Sequence, residues 1–260
     1  MLVRDGSTAE RPLEVLMVRR SLQSEFVSGA HVFPGGAVDD EDGAAAGFST
    51  GPADDSASAL LGLESGGLAY WVAALRESFE EAGILLAYRA DGSLLSFQDP
   101  EEEQRFAEHR RAMNARELSL AEMCRREAIT LACDRLVYFA HWITPAGQPR
   151  RYDTRFFVAP APPEQHAIHD AAETIASMWI RPSDAVSRFE AGEFELVLPT
   201  LRNLHAIGRF ATSDELLSDA RRGAQVQTVA PRVLTDEHGT RLVISGDQGD
   251  EIVDMAEHGG

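Results

Sequence analysis

A chain of 260 residues with 44% apolar content can bury one full core and fits one domain with insertions. Its net charge of −18, with 24 basic residues that are all Arg, argues against the basic footprint a nucleic-acid partner requires. No apolar run approaches the roughly 18 residues of a membrane span, and "MLVRDGSTAERPLEV" lacks a signal peptide's apolar block, so a soluble, cytoplasmic protein with no membrane partner is expected. Cys124 and Cys133 lack zinc-knuckle or CxxC spacing and read as two buried thiols.

In chain order, "MLVRDG" and "LEVLMVRRS" read as two strands about a polar turn, the second apolar enough to be buried. "VFPGGAVDDED", Val32 to Asp42, places a glycine pair and then an acid. Residues 43–68, rich in Gly, Ala, Ser and Asp, read as a loop or mobile insertion. "AYWVAALRESFEEAGILLA" has helical period: Trp71, Leu75, Ser78 or Phe79, and Ala82 share one face, and Gly83 is placed to stop the helix in a left-handed cap. Residues 99–132 are charged and helix-favouring, consistent with two helices between strands. "RLVYFAHWITP" and "RRYDTRFFVA" form an antiparallel hairpin pattern about "PAGQP". "ETIASMWIRP" reads as a strand ending at Trp179 and Ile180, and Pro182 opens a helix to about Phe189. "LPTLRNLHAIGRF" and "SDELLSDARRG" read as helices, the latter with Ser213 as N-cap and Gly223 past its end. "VAPRVLTDEHGTRLVISGD" reads as a terminal strand pair.

Glu77, Glu80 and Glu81 stand at i, i+3 and i+4, so their carboxylates leave the helix on nearly one face. Like charges so placed cost a few tenths of a kcal/mol each. Arg76 can pair with Glu80 at i+4, and hard divalent cations favour such oxygens. On its own, such a triplet is more often a solvated acidic face.

The surroundings favour the metal reading. "RESFEEAGI", Arg76 to Ile84, matches Arg-Glu-apolar-X-Glu-Glu-X-Gly-apolar, and "GAVDDED", Gly36 to Asp42, matches Gly, five residues, acid. Here the sequence resembles the Nudix hydrolase family, with Gly43 to Leu75 where the family has a short spacer. Asp42 replaces the usual Glu, and Ser78 an aliphatic residue. A box interrupted in this way resembles the branch related to the peroxisomal coenzyme A diphosphatases. "VRRS", "VFPGGAVDDED", "ALRESFEEAGILL", "WITPAGQPRRYDTRFFVA" and "ETIASMWIRPSDA" extend the likeness, and Arg20-Ser21 with Phe33 to Asp42 is a partial coenzyme A signature.

The resemblance implies one domain over residues 1–260, an α/β/α sandwich with a mixed sheet. Residues 43–68 would interrupt the box, 99–132 form a helical insertion and 211–260 a C-terminal extension. It implies that Gly35 and Gly36 turn the backbone so that a carbonyl reaches the metal cluster. Glu77, Glu80 and Glu81, with Gly36, would hold Mg²⁺ or Mn²⁺, and Arg76 would orient the glutamates. A metal-activated water would attack the diphosphate, with one of these carboxylates, such as Glu77, or Glu173 as base. Arg151 and Arg155, with Asp153 between them, suit either a salt-bridge ladder or a clamp for a diphosphate or 3′-phosphate, and Arg20 is a similar candidate. His31, His141, His166 and His169 follow no ligand spacing and read as structural or surface residues.

The expected activity is hydrolysis of coenzyme A or acyl-coenzyme A to 3′,5′-ADP and a phosphopantetheine. The alternatives are a Nudix enzyme for NADH, ADP-ribose or nucleotide sugars, and a non-catalytic binding module, against which the three retained glutamates stand. A homodimer would accord with Nudix relatives. The fold must bring Gly36 and Asp42 beside Glu77, Glu80 and Glu81, with residues 43–68 looped outward.

Overall fold

The computed structural model describes residues 1–6, 12–21, 29–148, 150–167, 174–223, 225–236, 239–246 and 249–254. Strands β1 (Leu2–Asp5) and β2 (Leu13–Arg20) pair antiparallel, with Val3 opposite Val15. The short β3 (His31–Val32) runs beside the far half of β2, Arg19 facing His31, and so continues the line of β1. After a helical region come β4 (Ser49–Thr50), β5 (Ala87–Tyr88) and β6 (Thr130–Ala132), a small separate sheet in the order β4-β6-β5. The expected hairpin is β7 (Val137–Ile143) and β8 (Asp153–Pro160), and β9 (Thr174–Ile180) lines the other edge of β2. The pairs β1·β8 and β7·β10 (Thr228–Val229) are parallel and the other pairs in the main sheet antiparallel, so that sheet is mixed.

Strand β2 reads as continuously apolar because it is buried on both faces. Leu16 and Val18 point into one core with Phe157, Trp71, Leu75 and Phe79, whereas Val15 and Met17 point into a second with Val158, Leu204 and Leu216. The first core lies under the box helix and its neighbours: α1 (Asp40–Ala45), α2 (Asp54–Leu61), α3 (Leu68–Ala82), α4 (Pro100–Asn114) and α5 (Leu120–Glu127). The second lies under α6 (Pro182–Glu190), α7 (Leu198–Ile207) and α8 (Ser213–Arg222). Two helical layers therefore enclose the sheet, as the resemblance implies.

Helix α3 presents the expected apolar face and stops at Gly83, whose φ of 71° closes the left-handed cap. Ser78 costs little here. It is buried, its carbonyl accepts from the Ile84 amide after the cap, and the adjacent Phe79 fills the core against Phe106. Both cysteines are buried free thiols, as expected.

Two expectations need correction. Residues 43–68 are not looped outward: they complete α1, make a 3-10 turn (Ala46–Phe48) and β4, and build α2, which a left-handed Gly62 ends. The small residues that read as flexible permit close packing instead. Ala45 and Ala57 are fully buried, and a Cβ on Gly67 would meet the Ser58 backbone nitrogen at 2.2 Å. Asp54 accepts from the Gly66 and Leu68 amides and Ser58 Oγ from the Gly67 amide, so α2 supplies the N-terminal cap of the box helix. Second, Thr212 rather than Ser213 caps α8, because Thr212 keeps the extended backbone from which its hydroxyl accepts from the Glu215 amide. The terminal strand pair forms as expected, β11 (Arg232–Asp236) against β12 (Gly239–Gly246), and β13 (Gly249–Asp254), beyond that stretch, pairs with β12 to make a three-stranded meander.

Candidate active site

The two halves of the interrupted box meet at Arg76. Its Nε and Nη2 grip Asp42 at 2.8 and 3.0 Å, its Nη1 donates to Glu77 at 2.7 Å and Glu80 at 2.8 Å, and Nη2 also reaches the Ala37 carbonyl at 2.8 Å. A guanidinium has five N–H donors, and these five bonds use them all. Burial works against the charge on Arg76, but the hydrogen bonds it donates to Asp42 and the charges of the surrounding carboxylates more than offset it and hold its pKa well above the ordinary arginine value. Asp42, assigned no site role from sequence, is the anchor of this hub. Its side chain is fully buried, and its carboxylate also accepts from the Asp39 amide at 2.7 Å in a capping box that starts α1. The signal available in sequence was the acid of the box itself.

The glycine pair wraps the same helix. The Gly35 amide donates to Glu81 at 3.0 Å, and Gly36 lies so close to Glu77 that a Cβ there would stand 2.4 Å from Oε1. Only glycine permits that approach. Gly36, Asp42, Arg76, Glu77, Glu80 and Glu81 are thus gathered, which meets the first half of the geometric expectation.

The remaining described candidates come from β2 and from β8 and its approach. Arg155 is buried on β8, with Nη1 2.9 Å from Asp153 and its guanidinium over Tyr70 at 4.7 Å. Arg151 lies before β8, exposed, with Nε donating to the Thr144 carbonyl. The expected three-residue ladder is therefore realised only as Asp153–Arg155, because the strand begins at Asp153. Arg20 ends β2 at an irregularity in its pairing with β9, and its amide donates to the Ala30 carbonyl. Glu173 and His169 lie outside the described residues. His31 is buried and stacked on Phe194, His141 is buried between Thr228 and Asp153, and His166 is exposed, in line with structural or surface roles.

A family model described as the NUDT19 Nudix domain matches residues 55–207, more than half of the chain. The chain belongs to this Nudix family. The matched span holds Arg76 to Glu81 but begins after Gly36 and Asp42, so the contacts above are what join the first half of the box to the second. This Nudix hydrolase is 28% identical to the acyl-coenzyme A diphosphatase NUDT19 of Gallus gallus, over 90% of the chain and 72% of that relative. It is 27% identical to the Homo sapiens protein of the same name, over 90% of the chain and 71% of the relative. A crystal structure of a NUDIX hydrolase from Alicyclobacillus acidocaldarius superposes with a TM-score of 0.65 at 28% identity, covering 84% of this chain and 92% of that one. Family and fold together make the chain a diphosphatase enzyme. Among the described residues no helix is long and apolar enough to cross a membrane.

In this Nudix hydrolase three carboxylates, those of Asp42, Glu77 and Glu80, contact one guanidinium, and Glu81 stands on the same helix turn as Glu77 and Glu80, so the acids outnumber the cation. Burial raises the Glu80 pKa above the ordinary glutamate value, while Arg76 opposes the rise. Among the described residues no three acidic, imidazole or thiol side chains converge as a ready ligand set. Glu77 and Glu80 converge on Arg76 Nη1, and Glu81 is turned to the Gly35 amide. The donor chemistry still fits a hard divalent ion, since every available ligand is oxygen and the missing Cβ at Gly36 lets the Glu77 carboxylate lie directly against that stretch of backbone.

Proposed function

We propose that this enzyme hydrolyses the diphosphate of coenzyme A or acyl-coenzyme A to 3′,5′-ADP and phosphopantetheine or its acyl form, using Mg²⁺ or Mn²⁺. The observation that carries this reading is similarity along 90% of the chain to relatives named acyl-coenzyme A diphosphatase. The reassembled box supports it. Nudix hydrolases generally use divalent metals, and here Glu77, Glu80 and Glu81 with the Gly36 carbonyl would hold one. Bound there, the ion would neutralise diphosphate charge and make a water acidic enough to attack. Arg76, locked by Asp42, keeps Glu77 and Glu80 on one side of the helix so that they need little reorganisation. A carboxylate of the cluster takes the proton of the attacking water. The water oxygen bonds to phosphorus as the bridging P–O bond breaks, and the other phosphate leaves with the bridging oxygen.

A substrate panel with Mg²⁺, resolved by chromatography, tests the proposal. Coenzyme A or an acyl-coenzyme A is expected to yield 3′,5′-ADP, and turnover to stop with a chelator. Cleavage of NADH or ADP-ribose with coenzyme A untouched would overturn the substrate and leave the family intact. Glu81→Gln, which preserves shape, is expected to lower kcat by orders of magnitude, and undiminished turnover would contradict the metal-site assignment.

A further inference from the structure

Outside the carboxylate cluster the fold buries a second guanidinium whose bonding is incomplete. The Arg155 side chain is only 6% exposed, yet Nη1 to Asp153 is its one hydrogen bond among the described residues, and its buried Nε has none. Arg76, equally a Nudix-box-side cation, uses every donor it has. A buried cation with unused donors is costly unless something supplies acceptors. Its present partner is replaceable. Asp153 is 52% exposed, and its Oδ1 serves both Arg155 and His141, whose other ring nitrogen is held by Thr228.

The stacking partner fixes where this site lies. Tyr70 belongs to the first turn of α3, and the Arg155 guanidinium sits 4.7 Å from its ring centroid. Tyr70 and Glu77 are close to two helical turns apart, so they share a face about 10 Å apart along the axis. Ala74 stands between them on that face, a small and half-buried side chain. On the α3 face itself, the residue between the carboxylates and Tyr70 is thus a small one.

We infer that Arg155, stacked on Tyr70 and with Asp153 as its displaceable partner, is the subsite for a phosphomonoester on the nucleotide half of the substrate. This rests on the proposed function, which places the scissile diphosphate at the carboxylates. An incoming phosphate takes over Nη1 from Asp153 and supplies an acceptor to Nε, a two-point contact that suits a planar guanidinium. Asp153 retains His141.

The test is titration calorimetry in chelator with 3′,5′-ADP and 5′-AMP, which differ only in the 3′-phosphate. The native protein is expected to bind 3′,5′-ADP roughly tenfold or more tightly. Arg155→Gln, checked for folding by its thermal melt, is expected to bring the two ligands within about twofold, and Asp153→Asn to keep or increase the preference because a competing acid is gone. Equal binding by the native protein, equal weakening of both ligands by Arg155→Gln, or loss of the preference in Asp153→Asn would overturn the subsite. If Arg155→Gln does not fold, the native and Asp153→Asn titrations decide alone. Binding needs no turnover, so failure to hydrolyse coenzyme A refutes the proposed function without altering this result. Equal binding of the two nucleotides refutes the subsite even where coenzyme A is cleaved.

Discussion

Replacing Gly36 with Ala tests the tightest contact in the site. The new Cβ would lie 2.4 Å from Glu77 Oε1 and 2.6 Å from its Cδ, whereas ordinary contact lies at 3.4–4 Å, so the carboxylate must retreat by about 1 Å. It cannot do so freely. Glu77 Oε1 is 2.7 Å from Arg76 Nη1, and Arg76 is pinned by Asp42 and Glu80, so Glu77 either surrenders that bond or drags the hub with it. With Glu77 in its proposed role, a displacement of this size costs about 100-fold in rate. Losing one charge-assisted hydrogen bond costs only about 1–3 kcal/mol of stability. The expected result is a kcat on the preferred diphosphate substrate lowered by about 100-fold, a higher Mg²⁺ requirement and a protein that still folds. Gly35→Ala is the control, because a Cβ there meets nothing within 4 Å. Steady-state rates across a Mg²⁺ series, with thermal melts of both variants, make the comparison. Native-like turnover in Gly36→Ala, or equal loss in Gly35→Ala, would refute the steric argument.

Gly67→Ala should destabilise, although Ala is ordinarily the better residue in and around helices. Its Cβ would strike rigid backbone of α2, at 2.2 Å from the Ser58 nitrogen, and overpacking of that kind costs about 1–3 kcal/mol or more, read as a lower urea midpoint. An unchanged or raised midpoint would mean that α2 does not pack on the box helix. His31 gives a pH signature. Burial, with Arg19 and Arg188 opposing its charge, lowers its pKa from 6.5 to about 4. The native state keeps it neutral while the unfolded chain takes up a proton, so its contribution is fully present above pH 6.5 and is lost as the pH falls toward 4. Between these limits native stability is expected to fall on the order of 2 kcal/mol further than that of His31→Gln. Parallel urea-midpoint curves for the two proteins would remove His31 as the cause.

The features legible in the sequence are those written in local period and local chemistry. Trp71, Leu75 and Phe79 recur at helical spacing, Gly83 marks a cap, and the alternation across Thr154 to Val158 marks a strand, because backbone geometry repeats over a few residues. The carboxylate triplet and the Gly35-Gly36 pair were likewise visible. What only the tertiary structure decided is which distant groups meet. Asp42 becomes the buried anchor of Arg76 across the whole insertion, Gly36 lies against Glu77, and Arg155 is buried on Tyr70 while Arg151 remains in water. Residues 43–68 read as flexible because small side chains carry little apolar signal of their own. Their order comes from close approach to α3, through Gly67 on Ser58 and Asp54 on the Gly66 and Leu68 amides. Small residues lower the distance at which two backbones can pack, and that becomes stabilising only once the partner surface is in place.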